Sequence, residues 1–139
     1  MMEHRDGRLV LCVDDEPMVL SALVRALRRE PYDLLTTESP ERALDWVATR
    51  DISLVMTDQK MPGMKGTELL REISRRSPST ARLLLTAYPG TTLATPDLLD
   101  RAEGLISKPW DSDMLRRMIR QVLVDRERGF ELDEELPTG

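Results

Sequence analysis

The sequence predicts an α/β domain with a doubly wound, five-stranded parallel sheet, and three observations support this prediction. Short apolar runs alternate with segments in which apolar residues recur at helical spacing, and the order strand, helix is repeated five times. The connections are short, except around residues 87–103, and alternation of this kind is typical of parallel sheets with right-handed crossovers. Each of four apolar runs ends at a charged or hydroxyl side chain, which is where open α/β sheets place their chemistry.

The five strands are predicted from runs that are rich in apolar and β-branched residues. The third run looks buried on both faces and stops at Asp58, and the turn residues that follow it include Pro62 and Gly63. The predicted strands, in order, are residues 8–13, 32–37, 52–58, 81–86 and 104–107.

The helices are predicted from apolar periodicity together with residues that favour helix starts. Pro17 and Pro40 suit the first helical position, while Ser39 and Asp111 are expected to act as N-caps. Between residues 91 and 103 the periodicity is poor, so a long loop with a short helix is expected there. The clear helices are expected from residue 17, over 40–49, over 67–77 and from residue 112.

The chain length of 139 residues suits one domain, which we place at residues 8–125. Residues 126–139 are acidic and short of core residues, and they are predicted to form a linker or tail. The sequence therefore predicts a single folded unit followed by a polar extension.

The composition excludes several classes of function. Cys12 is the only cysteine and His4 the only histidine, which excludes zinc sites built on these residues and Cys/His nucleophile pairs. The net charge of −5 argues against direct nucleic-acid binding. There is no long apolar span and no charged-then-apolar leader, so a cytoplasmic protein without membrane contact is expected.

Five polar residues should converge at one edge of the sheet, because all carboxyl ends of parallel strands meet there. They are Asp14, Asp15, Asp58, Thr86 and Lys108. Three close carboxylates repel one another strongly, and a hard divalent cation would relieve that repulsion. Mg²⁺ is favoured because it prefers few carboxylates, retained waters and a phosphate oxygen. Taken alone, Asp58 is equally well explained as a residue that caps the next turn. For Lys108 a surface ion pair is the less favoured interpretation, because few lysines occur in the chain and this one ends a strand beside the acids.

This set of residues is suited to phosphoryl chemistry. An ionised carboxylate can attack phosphorus without a general base, while a lysine and a threonine can hold the phosphoryl oxygens. The sequence contains neither a Gly-x-x-x-x-Gly-Lys-Ser/Thr loop nor a Gly-x-Gly-x-x-Gly turn. The phosphoryl donor is therefore expected to come from another molecule.

Four motifs give the chain a close resemblance to the receiver domain of two-component response regulators, which has a flavodoxin-like (βα)5 fold. They are Val-Asp-Asp-Glu-Pro, Thr-Asp-Gln-Lys-Met-Pro-Gly-Met-Lys-Gly, Leu-Leu-Thr-Ala-Tyr and Ser-Lys-Pro-Trp, in the order the family requires. The Asp-Gln-x-Met-Pro-Gly and Lys-Pro-Trp details are similar to a subgroup whose receivers often precede cyclic-dinucleotide enzymes, phosphatases or other output domains.

The resemblance implies a role for each site residue. Asp58 would be the phosphoacceptor, and Thr86 and Lys108 would bind the phosphoryl group. The magnesium ligands would be Asp15 directly, Asp14 through water, Asp58 itself and the backbone carbonyl of Lys60. The resemblance further implies a sensor histidine kinase or phosphotransfer protein as donor and an output domain or partner protein as target, and it leaves homodimer formation open. The chain would promote its own phosphorylation and would not be a turnover enzyme.

Two features depart from the family pattern, and two alternatives stay open. Leu105 replaces the tyrosine or phenylalanine that commonly lies three residues before the lysine, and residues 87–103 contain two prolines. One alternative is a pseudo-receiver that keeps the fold as an interaction module. The other is a magnesium-dependent aspartyl phosphohydrolase, although such enzymes usually carry a second acid where this chain has Lys60.

Overall fold

The computed structural model describes residues 5–87 and 102–135 of the chain. Strands and helices alternate as predicted except between the fourth and fifth strands, where residues 88–101 lie outside the described part. The observed bounds lie within two residues of the predicted ones wherever both ends were predicted. The elements are β1 Leu9–Val13, α1 Pro17–Leu27, β2 Asp33–Thr37, α2 Pro40–Thr49, β3 Leu54–Asp58, α3 Gly66–Arg76, β4 Ala81–Thr86, β5 Gly104–Ser107 and α4 Ser112–Glu135.

The five strands form one parallel sheet with the order β2-β1-β3-β4-β5. β1 and β3 are neighbours near the centre, and their carboxyl ends are in register because Val13 pairs with Thr57. The next residues along these two strands, Asp14 and Asp58, therefore lie side by side. The predicted doubly wound α/β class is confirmed.

The helices pack in two layers, one on each face of the sheet. α1 and α4 cover one face, where Leu23 and Ile119 pack with strand residues such as Cys12. α2 and α3 cover the other face, where Leu70 packs with Val55 and its neighbours. Alternate residues of the central strands contribute to opposite layers, which explains why these strands read as continuous apolar runs.

The helix starts follow the predicted capping residues. Ser39 Oγ accepts a hydrogen bond from the backbone N–H of Arg42 at 3.2 Å, and Asp111 Oδ1 accepts one from Met114 at 3.0 Å. In α3 the N-cap residue Lys65 makes no side-chain capping hydrogen bond, and the same is true of Glu16 at the start of α1. The α3 start must therefore be stabilised by groups outside the helix.

The carboxyl-terminal region differs from expectation in one respect. α4 continues to Glu135, so the predicted domain end at residue 125 falls inside a helix, and the predicted linker or tail over 126–139 begins as part of that helix. The division of the chain at this point stays a prediction. Most of the segment expected to hold a long loop and a short helix, residues 88–101, lies outside the described residues. None of the described helices is long and apolar enough to span a membrane.

Candidate functional site

The carboxyl edge of the sheet brings together residues from three strand ends. Asp14 follows β1, Asp58 ends β3, and Lys108 follows β5 at the sheet margin. The Lys108 side chain crosses the end of β4, and its Nζ lies 2.8 Å from Asp14 Oδ2 and 2.9 Å from Asp58 Oδ1. One ammonium group is thus shared by two carboxylates, so Lys108 belongs to a buried cluster and is not part of a surface ion pair.

All three groups are largely withdrawn from solvent. The side-chain exposures are 1% for Asp14, 8% for Asp58 and 15% for Lys108. Thr86, at the end of β4, is also buried, and its carbonyl accepts a hydrogen bond from the backbone N–H of Lys108 at 2.8 Å. Lys108 and Pro109 are joined by a cis peptide bond. The hydrogen bond from Lys108 to Thr86 links the end of β5 to β4 beside the predicted phosphoryl-binding threonine.

The electrostatics of the cluster follow from burial and crowding. Burial raises the pKa of the Asp58 carboxyl above its ordinary value, and the nearby charge of Asp14 raises it further, while the hydrogen bond from Lys108 opposes both effects. Burial alone would lower the pKa of Lys108, but its hydrogen bonds to Asp14 and Asp58 outweigh that effect and raise it. Lys108 is therefore charged at neutral pH. Holding Asp58 in its ionised form in this buried place lowers the stability of the fold.

The acidic cluster fits a divalent cation. Asp14, Asp15 and Glu16 each offer an oxygen atom, and these three atoms lie within 4.8 Å of one another. Asp15 Oδ1 is buried and has no hydrogen-bond partner in the described part of the chain, which is unusual for a carboxylate oxygen. Oxygen ligands of this kind suit Mg²⁺.

Glu16 is a member of this acidic group that the sequence reasoning did not propose. Its position directly after Asp15 is the signal that the sequence offers, and its side chain is exposed. Its backbone N–H donates to Asp14 Oδ1 at 2.9 Å, which helps to fix the Asp14 carboxylate. Lys60, whose carbonyl is a predicted ligand, lies on the exposed loop after β3.

Gly66, the first residue of α3, shows how tightly this helix is packed against the end of β3. A Cβ atom added to Gly66 would lie 2.1 Å from the carbonyl oxygen of Asp58, closer than any real Cβ contact. Only glycine fits here, because the main chain itself fills the space that a side chain would need. The position of α3 is therefore fixed directly by the backbone of Asp58.

Comparisons with known proteins agree with this geometry. Residues 10–120 match the family model for the response regulator receiver domain. The chain is 32% identical over 115 residues to the hydrogenase transcriptional regulatory protein HoxA of Cupriavidus necator, a match that covers 82% of this chain and 24% of that protein. It thus spans about a quarter of the length of this curated relative.

Two solved structures extend the likeness to three dimensions. The signal receiver domain of an HD domain-containing protein from Pseudomonas fluorescens superposes with a TM-score of 0.82 at 32% identity, covering 88% of this chain and 98% of that one. The response regulator TrrA from Thermotoga maritima, solved in complex with Mg²⁺ and BeF, gives a TM-score of 0.76 at 30% identity, covering 83% and 98%. On its sequence match and its parallel sheet, this chain belongs to the response regulator receiver domain family.

Proposed function

We propose that the protein accepts a phosphoryl group on Asp58 from a sensor histidine kinase or a phosphotransfer protein, and that this modification switches an output domain or a partner protein. The observation that carries the proposal is the contact of Lys108 Nζ with both Asp58 and Asp14 at the carboxyl edge of the sheet. This arrangement places a cation beside a carboxylate nucleophile in a buried setting, where charge stabilisation is strongest.

The transfer balances without an additional base. Asp58 attacks the phosphorus of a phosphohistidine, an O–P bond forms as the N–P bond breaks, and the departing imidazole nitrogen takes up a proton. Lys108 lies close enough to Asp58 to stabilise negative charge as it moves from the carboxylate to the phosphoryl oxygens. Thr86 supplies a hydroxyl at the next strand end. When bound by Asp14, Asp15, Asp58 and the Lys60 carbonyl, Mg²⁺ would offset negative charge on the transferring group.

The remaining features of the proposal follow from the family. The partner kinase, the output domain and a cytoplasmic location are assigned on that basis, and homodimer formation stays open. Phosphorylation adds about −1.5 to −2 of charge at neutral pH, which draws cationic and hydroxyl groups toward the new phosphate. We expect the response to pass through residues 87–103, most of which lie outside the described part of the chain, and along the exposed edge of α4.

Intact-mass measurement after incubation with acetyl phosphate and magnesium tests this function. The wild-type chain should gain one phosphoryl group, and Asp58→Asn should gain none, because the amide is not a nucleophile. Asp51→Asn, which changes an exposed aspartate, is the matched control and should react as wild type does. Incorporation into Asp58→Asn at the wild-type level would disprove the assignment, and repeated release of phosphate from an external ester would indicate a phosphohydrolase instead.

A further inference from the structure

The loop between β3 and α3 is closed by the residue that directly follows Asp58. Gln59 Oε1 accepts a hydrogen bond from the backbone N–H of Thr67 at 2.9 Å, and Gln59 Nε2 donates to Thr67 Oγ1 at 3.3 Å. The backbone carbonyl of Gln59 accepts a further bond from the N–H of Gly66 at 2.9 Å. The backbone N–H groups of two consecutive residues at the start of α3, Gly66 and Thr67, therefore both donate hydrogen bonds to Gln59.

These bonds supply the cap that α3 otherwise lacks. The first backbone N–H groups of a helix have no partner within the helix, and the N-cap side chain commonly satisfies one of them. Lys65 occupies the N-cap position and makes no such bond. Gln59 reaches across the loop and provides the missing acceptor, so its side chain links α3 to the end of β3.

The same residue is joined to the phosphoacceptor. Gln59 directly follows Asp58 in the chain, so the position of its backbone is coupled to that of Asp58. Gly66, which bonds to the Gln59 carbonyl, packs directly on the carbonyl of Asp58. Asp58, Gln59 and the first turn of α3 thus form one connected unit, and the loop between them begins with Lys60.

We propose that Gln59 is a positioning residue for the phosphorylation site. By fastening its own backbone to α3, it fixes where the Asp58 carboxylate and the Lys60 carbonyl stand relative to each other. The inference rests on the proposed function, in which both groups contact magnesium. A residue that only capped α3 would affect the stability of that helix and leave the affinity for the metal unchanged, so magnesium affinity distinguishes the two roles.

Gln59→Leu tests this role, because leucine has a similar size and no polar group. We expect about tenfold weaker Mg²⁺ binding by calorimetric titration and about tenfold slower phosphorylation by acetyl phosphate, as is usual when a group that orients a metal ligand is removed. Gln59→Glu keeps an acceptor for the Thr67 N–H and should restore both quantities to near the wild-type values. Gln121→Leu makes the same change at the only other glutamine, exposed on α4, and should alter neither.

The outcomes separate the positioning role from its alternatives. Wild-type magnesium affinity and wild-type phosphorylation in Gln59→Leu would overturn the inference, as would Gln59→Glu that is as impaired as Gln59→Leu. If Gln59→Leu does not fold, Gln59→Asn replaces it, since its amide is one carbon too short to reach Thr67 and should show the same losses; wild-type values in that variant would also overturn the inference. If wild-type protein binds magnesium but is never phosphorylated, the proposed function fails, while the magnesium affinity of the variants still decides the role of Gln59.

Discussion

Two buried acidic groups in this protein meet cations in opposite ways. Glu30, which lies before β2 at the amino edge of the sheet, has a side chain that is 4% exposed and accepts two hydrogen bonds from Arg120, at 2.8 and 2.6 Å. At the carboxyl edge, Lys108 is shared between Asp14 and Asp58. In the first contact one carboxylate binds one cation, whereas in the second two carboxylates share one cation.

The two contacts differ in their balance of charge. The guanidinium of Arg120 matches both oxygens of Glu30, so that pair is balanced and its hydrogen-bonding capacity is used. The carboxyl-edge cluster has an excess of negative charge, and the neighbouring Asp15 keeps a buried oxygen without a partner in the described part of the chain. The interaction of a divalent cation, or of a phosphate-binding lysine, is most favourable where the fold has left such an excess of negative charge.

The largest expected effect distinguishes the function of Lys108 from that of Arg120. Lys108→Met should slow phosphorylation by acetyl phosphate about 100-fold, because it removes a buried donor to the transferring group. Arg120→Met should phosphorylate at the wild-type rate and lose about 1–2 kcal/mol of unfolding free energy, since water can reach the abandoned Glu30 through the exposed side of Arg120. Intact-mass kinetics and urea unfolding measure the two quantities. Equal phosphorylation rates in the two variants would erase the proposed distinction.

The second prediction concerns magnesium and the acids themselves. Asp15→Asn should weaken Mg²⁺ binding at least tenfold in calorimetric titration, because it replaces the oxygen that has no other partner by a weaker ligand. Glu30→Gln is the matched change at the balanced pair and should leave the affinity unchanged. If Asp15→Asn titrates like wild type, Asp15 is not a ligand.

The third prediction sharpens the comparison by pH. The raised pKa of Asp58 means that the folded chain holds this proton more tightly than the unfolded chain does, whose carboxyl has the ordinary value of 3.8. Ionised Asp58 therefore makes the fold less stable as the pH rises above that value. Asp58→Asn should raise the melting temperature at pH 7 in chelator by roughly 2–5 °C. The gain should shrink toward pH 4, and a constant or negative change would contradict the assigned electrostatics.

The smallest expected effect concerns the Cys12 thiol, which lies between the amino and carboxyl edges of the sheet. Cys12 on β1 is fully buried, and burial, with a smaller contribution from the charge of Asp14, raises its pKa to about 12. The thiolate is thus almost absent at pH 8, and a thiol reagent should react only as fast as the protein opens. Reaction in urea provides the positive control. Fast labelling of the native protein would show that the β1 region opens more readily than its packing indicates.

The sequence determined the fold and most of the site, because both depend on local patterns. Helical spacing and apolar runs define the elements, and parallel strands must end at one edge, so Asp14, Asp58, Thr86 and Lys108 were placed there without coordinates. The acidic segment after residue 125 lacks core residues, but its glutamates and leucines are good helix formers, and α4 continues through it to Glu135.

Only the tertiary structure decided which partners these groups have. Arg120 and Glu30 are 90 residues apart, and Lys108 and Asp14 are 94 apart, so no local pattern distinguishes the balanced pair from the shared lysine. The role of Gln59 depends on a loop that returns α3 to within hydrogen-bond distance of the end of β3. Side-chain reach and backbone closure act over distances that sequence spacing does not encode, and they set the charge balance at this edge of the sheet.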